Sequence, residues 1–558
     1  MTGDWGLVTR RLRDIGSHIV ISRVTEKSLS FAIRWSMFGI PKQESSYQKT
    51  FGHRPIYICG EAATTTLNPE PLNPKIMNIQ IIYSMLARVL AASGAALLLP
   101  LLLSLYERGP ILSFLVPMLL SAALSLFLKR KGAAIGSSLT PREGTAITAL
   151  SWIAVSLLYA LPYWVGGSLS PLDSLVESIS GLTGTGATVF PDLTRVPASL
   201  LFFRSLTHWL GGLGIIVFFV ALFPQAGRGT VRMMQTESTG PISSKALPRI
   251  RETARALFAV YAVFTSACFL SYLLCGLSPL DALSHAFSTI ATGGFSTRNE
   301  SIAYYHDARL EMVMAFFMII SSANFGIYVK AWKRGVSVIW KNTEFRVYLA
   351  IVAIATLLMT LSLVLQGGAS LLPALRETFF HAASISSTTG FVAADFDRWP
   401  DFCRFIILLL ILIGGCGGST AGGMKVIRFI LLGKSILSLL KLHLHPRAVQ
   451  AVSAGENRYS AEVLYRVLCF FFLYIMLAFL WAAIMMFDGL AFLDALGVSF
   501  TTMGNVGPAF GQFGATQTCA ALPTLSKMVV CLSMLFGRLE SITLMCIFIP
   551  SFWKRSGW

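Results

Sequence analysis

Charge is scarce in this sequence. Asp, Glu, Lys and Arg together make up 13% of the 558 residues, about half of the ~25% usual for a soluble domain, while hydrophobic residues make up 54%. So few charges cannot clothe a globular core, and an ordinary soluble protein is excluded. Acidic residues are the scarcest, 27 against 45 basic, for a net charge of +18. The nine cysteines form no Cys-x-x-Cys pair and no cluster, which argues against a disulfide framework and reads them as small core residues. Neither a His-Glu-x-x-His nor a Gly-x-Ser-x-Gly occurs, and the stretch Gly417-Gly418-Ser419-Thr420-Ala421 lacks the final glycine of a nucleophile elbow. Gly433-Lys434-Ser435 imitates the end of a phosphate-binding loop, but Arg428 stands where the first glycine belongs. The sequence is not that of an enzyme.

What is present is apolar sequence in long runs. Ten candidate spans lie at about 80–105, 110–128, 145–166, 199–223, 253–275, 311–332, 346–366, 403–430, 462–487 and 525–550, each near the ~20 helical residues that cross a ~30 Å hydrocarbon core. Residues 1–76 carry no such run and read as a poorly ordered extension ending in a linker, Thr64 to Pro71. No signal peptide is evident there. Alternate connections hold the basic residues: Lys129 to Lys131 and Arg142; Arg228, Arg232, Lys245, Arg249 and Arg251; Lys330, Lys333, Arg334 and Lys341; Lys434, Lys441, Arg447 and Arg458; Lys554 and Arg555. The positive-inside rule puts these on the cytoplasmic side, together with both ends of the membrane region. The basic excess is then topological, with anionic membrane lipids and not nucleic acid as its partner.

After the third, fifth, seventh and ninth runs the chain inserts a short half-apolar stretch, such as Pro171 to Leu182 or Pro279 to Ile290. About 11 helical residues reach ~17 Å, half the bilayer, so each stretch must enter and return. Backbone that leaves helical form at membrane depth survives only inside protein or along a water-filled path. Each stretch ends in a small, glycine-bearing motif: Thr183-Gly184-Thr185-Gly186-Ala187-Thr188, Ala291-Thr292-Gly293-Gly294-Phe295-Ser296, Ser387-Thr388-Thr389-Gly390-Phe391 and Gly504-Asn505-Val506-Gly507-Pro508. Aligned on Gly186, Gly294, Gly390 and Gly507, the motifs are 108, 96 and 117 residues apart, an internal repeat present four times. The fold class is therefore all-α integral membrane: four helix-pore-helix repeats around one central pore plus two extra N-terminal helices, with 10 spanning helices and 4 re-entrant loops. The predicted units are the 1–76 extension, a two-helix unit at 77–144, and pore repeats at 145–230, 231–340, 341–445 and 446–558.

Glycine suits such a motif for a physical reason. A dehydrated cation needs several oxygen ligands, and successive carbonyls turn inward only where some residues adopt positive φ. The pore helix adds the negative end of its dipole. No Asp or Glu stands in the motifs, which favours monovalent over divalent cations. A second glycine-rich run, residues 414–425, has six glycines in its first ten residues, and at ~1 kcal/mol each relative to Ala the helix should break there. Lys425, at its end, is an intramembrane ionisable residue and hence a functional candidate, or it extends to the cytoplasmic face. Glu177, His285 and His381 each precede their motif glycine by nine residues and either satisfy the pore-helix mouth or attract cations. Asp395 and Asp397 would face an outer vestibule.

The four motifs, the stretch Phe203 to Gly214, the run 414–425, Gly537-Arg538-Leu539-Glu540 and the terminal Phe552-Trp553-Lys554-Arg555 resemble the TrkH-like potassium uptake proteins of the Trk/Ktr/HKT cation-transporter superfamily, from about residue 77 to the end. The resemblance implies one chain with four repeats around one potassium path. It makes Thr185, Gly186, Gly293, Gly294, Thr389, Gly390, Val506 and Gly507 the potassium-binding filter, and glycine at the first filter position of every repeat implies potassium over sodium. It also implies a gate in Gly417, Gly418, Gly422, Gly423 and Lys425, with Arg538 bonded to that loop. Two positions depart from the family pattern: Gly184, where threonine is common, and Ala509, where glycine is usual. The family works as a homodimer with a cytoplasmic, TrkA-like nucleotide-binding regulatory subunit, in the bacterial cytoplasmic (inner) membrane, with potassium as substrate and no cofactor. Channel-like flux and coupled symport both fit this pattern. A solute symporter of the broken-helix kind would carry an inverted two-fold repeat instead of four parallel units.

A chain starting at Met77 is expected to insert and transport normally, because residues 1–76 contribute neither a span nor a repeat. Growth at low potassium of cells carrying only the shortened chain, made at normal levels, checks this; failure to grow would contradict it.

Overall fold

The computed structural model describes residues 77–132, 140–212, 214, 250–446, 452–455 and 457–553. The 1–76 extension, most of the second half of the fourth apolar run, and Arg228, Arg232, Lys245, Arg249, Arg447, Lys554 and Arg555 lie outside the described residues. The described chain is helical apart from short 3-10 turns and one two-residue antiparallel pair, Ser453–Ala454 with Asn457–Arg458. It is a multi-pass integral membrane protein: among the described residues six helical spans are long and apolar enough to cross, from Ile79–Glu107 to Ala461–Phe487.

The first two spans, Ile79–Glu107 and Ile111–Lys131, form an antiparallel pair held by small residues. Ser121 and Ser125 donate to the carbonyls of Leu90 and Ala87 across the interface, at 2.6 and 2.7 Å, and Gly94 leaves room for Ser121. In lipid the apolar side chains gain little by meeting each other, so close backbone approach and interhelical hydrogen bonds do the holding. Tyr159 donates to Ser93 O at 3.0 Å and fastens the pair to the first repeat.

Each repeat is built alike. A long first helix (Pro141–Val165, Ile250–Leu274, Thr343–Leu365, Ala461–Phe487) leads to a pore helix (Pro171–Thr183, Pro279–Ile290, Leu371–Ser386, Phe492–Gly504) and then an inner helix (Ala198–Gly212, Ala308–Ser321, Asp401–Ile413, Thr524–Arg538). The first two pore helices start with Ser-Pro-Leu-Asp: Ser170 and Ser278 cap the N–H groups of Asp173 and Asp281, and proline takes the first helical position, where it loses no hydrogen bond.

The inner helices have 15, 14, 13 and 15 residues in their described parts, ~20 Å each and short of the hydrocarbon core. Here the structure corrects the reading of 311–332 and 525–550 as unbroken runs. The chain turns by 87° between Ala308–Ser321 and Phe325–Arg334, and by 119° between Thr524–Arg538 and Ile542–Phe548. Asn324 starts a new helix by accepting Gly326 N–H at 2.8 Å; at the second break Glu540 takes φ +50°. The run 403–430 breaks at Gly414, where the glycine content predicts it.

Neighbouring repeats are tied by polar contacts that close a circle. Arg204 donates to Ser296 O (3.1 Å), Ile302 N–H to Val392 O (3.0 Å), Gly511 N–H to Asp397 (3.4 Å), and Cys519 N–H to Thr188 O (2.8 Å). Repeat four thus returns to repeat one. Arg204 is itself anchored inside repeat one: its Nε pairs with Glu177 at 2.6 Å, with side chains 1% and 0% exposed, the most deeply buried ion pair among the described residues. Glu177 also accepts Val189 N–H at 2.9 Å, so its lone pairs are used.

Removing one partner of such a pair strands a buried charge, a loss of about 3–5 kcal/mol. Arg204→Met is expected to lower the thermal midpoint of the detergent-purified protein sharply, and Arg204→Met combined with Glu177→Gln to lower it less. A double variant that loses the sum of both single effects would contradict this.

Candidate functional site

The four glycine motifs begin where the pore helices end, and the four ends are built identically. The N–H groups of Gly184, Thr292, Thr388 and Asn505 donate to the carbonyls of Gly181, Thr289, Ile385 and Thr502 at 3.0–3.3 Å. Those of Thr185, Gly293, Thr389 and Val506 donate to Ser180, Ser288, Ser384 and Thr501 at 2.8–3.0 Å. This is the Schellman closure of a helix C-terminus, which requires a left-handed residue just past the helix; Gly184, Thr292, Thr388 and Asn505 have φ from +54° to +69°. Three repeats force a side chain into that conformation, and repeat one uses glycine, so the departure at Gly184 relieves strain.

Two residues later Gly186, Gly294, Gly390 and Gly507 return to positive φ, +78° to +101°. A Cβ on Gly186 would overlap the carbonyl oxygen of Gly293, one on Gly294 that of Thr389, one on Gly390 that of Val506, and one on Gly507 that of Thr185. The contacts visit every repeat once and close on themselves. All eight residues of the sequence-predicted filter therefore meet at one place, with each glycine packed against the carbonyl of the next repeat. The carbonyl-bearing ends of four pore helices converge there, an arrangement that suits a positive charge and repels a negative one. Asn505 Nδ2 donates to Thr185 Oγ1 at 3.0 Å, a second tie between repeats four and one.

Glu177, His285 and His381 are each fully buried and lie behind the motifs, so the hydrogen bonding favours the bracing role over cation attraction. Each grips the chain just past its own motif glycine: Glu177 through Thr188 and Val189, His285 Nε2 through Ser296 Oγ at 3.0 Å, and His381 Nε2 through the N–H groups of Ala393 and Ala394 at 3.4 Å. Asp395 pairs with Arg398 at 3.1 Å, and Asp397 accepts Gly511 N–H, so both fasten loops that follow the motifs. A cavity at the mouth of the ring is lined by the four motif glycines with Arg298 and Gln517 among their neighbours.

Residues 414–425 pass beneath the ring. Thr420 Oγ1 donates to Ile290 O (3.0 Å) at the end of the second pore helix; Gly422 N–H donates to Thr388 Oγ1 (2.6 Å) at the end of the third. A Cβ on Gly422 would overlap Gly504 O at the end of the fourth. Arg538 reaches from repeat four to Thr420 O and to Gly211 O and Gly212 O of repeat one, all at 2.7 Å, the bond to the loop that the family resemblance implies. Gly418 accepts Phe325 N–H at 3.1 Å, and its φ is +76°; Gly423 has φ +71°. Lys425 is 1% exposed and its ammonium donates to Ala421 O, so it folds back on the loop and does not extend to the membrane surface.

Three contributors were not legible as such in the sequence. Glu344 accepts Gly417 N–H at 2.6 Å and Ile427 N–H at 3.2 Å, clamping both flanks of the loop; its only signal is a lone acid at the head of an apolar run. Arg428 and Glu540 pair at 2.6 Å and join the loop's exit to the break in repeat four. Charges inside two apolar runs were their signal.

The TrkH family, described as cation transport protein, matches residues 112–555. The chain is 36% identical over 484 residues to the Trk system potassium uptake protein TrkH of Halomonas elongata, covering 86% of this chain and 100% of that protein. It is 34% identical over 477 residues to the protein of that name from Escherichia coli, covering 84% and 97%. The crystal structure of the potassium transporter TrkH from Vibrio parahaemolyticus superposes with a TM-score of 0.78 at 32% identity, over 86% of this chain and 100% of that one. The chain belongs to the TrkH family of cation transport proteins.

Proposed function

We propose that this protein takes up potassium across the bacterial cytoplasmic membrane through a filter made by Thr185, Gly186, Gly293, Gly294, Thr389, Gly390, Val506 and Gly507. The observation that carries the reading is the closed ring in which each motif glycine packs on the preceding-position carbonyl of the next repeat. A ring of carbonyls replaces the hydration shell of a cation passing in single file, and the potassium uptake named for the relatives fits that chemistry. The functional units follow the repeats: 77–144 as the two-helix flank and 145–230, 231–340, 341–445 and 446–558 as the four walls. Both ends of the membrane region face the cytoplasm, in keeping with the basic connections.

The run 414–425 acts as the gate. Gly417, Gly418, Gly422 and Gly423 give it mobility, Lys425 opposes an ion beneath the filter, and Arg538 holds it shut. A second copy of the chain and a TrkA-like cytoplasmic regulatory subunit complete the assembly. Rubidium and sodium flux into liposomes holding the purified protein, with and without that subunit, tests the reading; sodium passing as readily as rubidium would overturn it.

In the same assay Gly186→Ser is expected to lower the rubidium-to-sodium ratio about tenfold or more while insertion is kept. Serine at positive φ costs ~1–3 kcal/mol locally, which a large membrane protein survives, but ~1.4 kcal/mol of differential ion binding is already tenfold. An unchanged ratio here and in serine variants of Gly294, Gly390 and Gly507 would place the ion path elsewhere.

Lys425→Ala is expected to raise rubidium leak through the unstimulated protein. A charge ~5 Å from a cation repels it by ~3 kcal/mol at an effective dielectric of about 20, an upper figure in the presence of water. The lost bond to Ala421 O loosens the loop in the same direction. Unchanged or lower leak at equal protein level would remove Lys425 from the gate.

A further inference from the structure

Repeat two differs from the others at the centre of its motif. It carries Gly293-Gly294 where the others carry Thr185-Gly186, Thr389-Gly390 and Val506-Gly507. Two adjacent glycines leave the backbone its widest freedom. Repeats one and three restrain the first central position with their own hydroxyls, Thr185 to Thr183 and Thr389 to Ser387, both at 2.7 Å. Gly293 has no side chain to be restrained.

The restraint comes from the inner helix of repeat one. A Cβ on Gly293 would run into the ring of His208, so the imidazole occupies the space that a side chain would take. His208 is fully buried and bonded on both nitrogens: Nδ1 to Gly181 O at 2.7 Å, and Nε2 to the N–H of Phe295, the residue after Gly294, at 3.2 Å. A carbonyl only accepts and an amide N–H only donates, so the proton sits on Nδ1 and the lone pair on Nε2 faces the motif. Gly181 O also accepts Gly184 N–H in the closure of the first pore helix. One imidazole therefore touches both the helix end of repeat one and the motif of repeat two.

The Phe295 ring is gripped as well. It stacks on His208 with centroids 4.2 Å apart, and the Arg204 guanidinium lies 4.1 Å from its centroid. Arg204 precedes His208 by four residues, one turn on the same helix face, and Arg204 Nη1 donates to Ser296 O at 3.1 Å. The two side chains thus hold three residues on either side of Gly294: Gly293 by contact, Phe295 and Ser296 by hydrogen bonds.

We propose that His208, seconded by Arg204, is the positioning residue that fixes the repeat-two filter strand and with it the discrimination between potassium and sodium. The inference rests on the filter reading given above. Its role is to supply from a neighbouring repeat the rigidity that Gly293-Gly294 lacks, which makes this edge of the ring dependent on the packing between repeats one and two.

The test is the rubidium-to-sodium flux ratio of the full-length protein in liposomes, for His208→Met, His208→Gln and Phe295→Leu beside Gly186→Ser. Methionine fills the space without a donor; glutamine offers one donor and one acceptor. Loss of the hydrogen bonds in His208→Met is expected to lower the ratio about tenfold, with rubidium still transported, while His208→Gln stays within about twofold of wild type. Phe295→Leu keeps the N–H but removes the gripped ring, and a severalfold fall is expected. Equal ratios for Met and Gln variants, with Gly186→Ser impaired, would overturn the brace and leave the filter standing. Wild-type ratios in all four would overturn the filter itself. If His208→Met does not fold, Phe295→Leu decides: a wild-type ratio there overturns the brace.

Discussion

Everything in this structure depends on getting non-helical backbone to the middle of a membrane without leaving its polar groups unpaired. Lipid offers no hydrogen bonds, so an irregular segment survives there only if other protein surrounds it. The chain solves this by making four such segments surround each other. Each pore helix turns its last N–H groups back on itself in the same closure, and each motif glycine then packs against the carbonyl of the next repeat. No repeat can adopt this form alone, because the partner surface of Gly507 is Thr185, more than 300 residues earlier in the chain. Glycine is needed at the four motif positions for two independent reasons, the positive φ and the missing Cβ.

The four-fold plan is overlaid with one-sided features. Glu177, His285 and His381 brace the return chain behind three motifs, and Val498 stands at the corresponding place in the fourth. In this sequence repeat three carries the long glycine run, and elements from every neighbour hold it, among them Glu344, Thr388, Ile290 of repeat two and Arg538 of repeat four. Arg538 reaches repeats one and three at once, through Gly211 O and Gly212 O on one side and Thr420 O on the other. A single polypeptide can differentiate its four walls in this way; four identical subunits cannot.

Much of the plan was legible in the sequence because the signals were periodic or compositional. Apolar length gave the N-terminal pair and the long first helix of each repeat, the spacing of four glycine motifs gave the repeat, and six glycines in ten residues gave the helix break at Gly414. The breaks at Ser322–Asn324 and Leu539–Ser541 were missed for a physical reason: hydropathy sums over a run and is blind to direction, while a single Asn324 cap or a left-handed Glu540 turns the axis. The inward role of Glu177 and the two histidines was also ambiguous, since a buried polar residue near a pore looks the same in sequence whether it faces the ion or the scaffold. The hydrogen bonds to Val189, Ser296 and Ala393 decide that question for all three. Arg204 and His208 sat in plain view in the stretch Phe203 to Gly214, yet their partners in repeat two, Ser296 and Phe295, lie 92 and 87 residues away, beyond what spacing alone reveals.

The proposed function turns on one cation site, formed by the four carbonyls of Thr185, Gly293, Thr389 and Val506. The most direct measurement is anomalous diffraction from crystals of the protein grown in rubidium. A rubidium peak is expected on the axis between those four oxygens, at carbonyl-ligand distance from all of them, and weaker in crystals of Gly186→Ser. A strong peak elsewhere in the membrane region, with none at the ring, would contradict it.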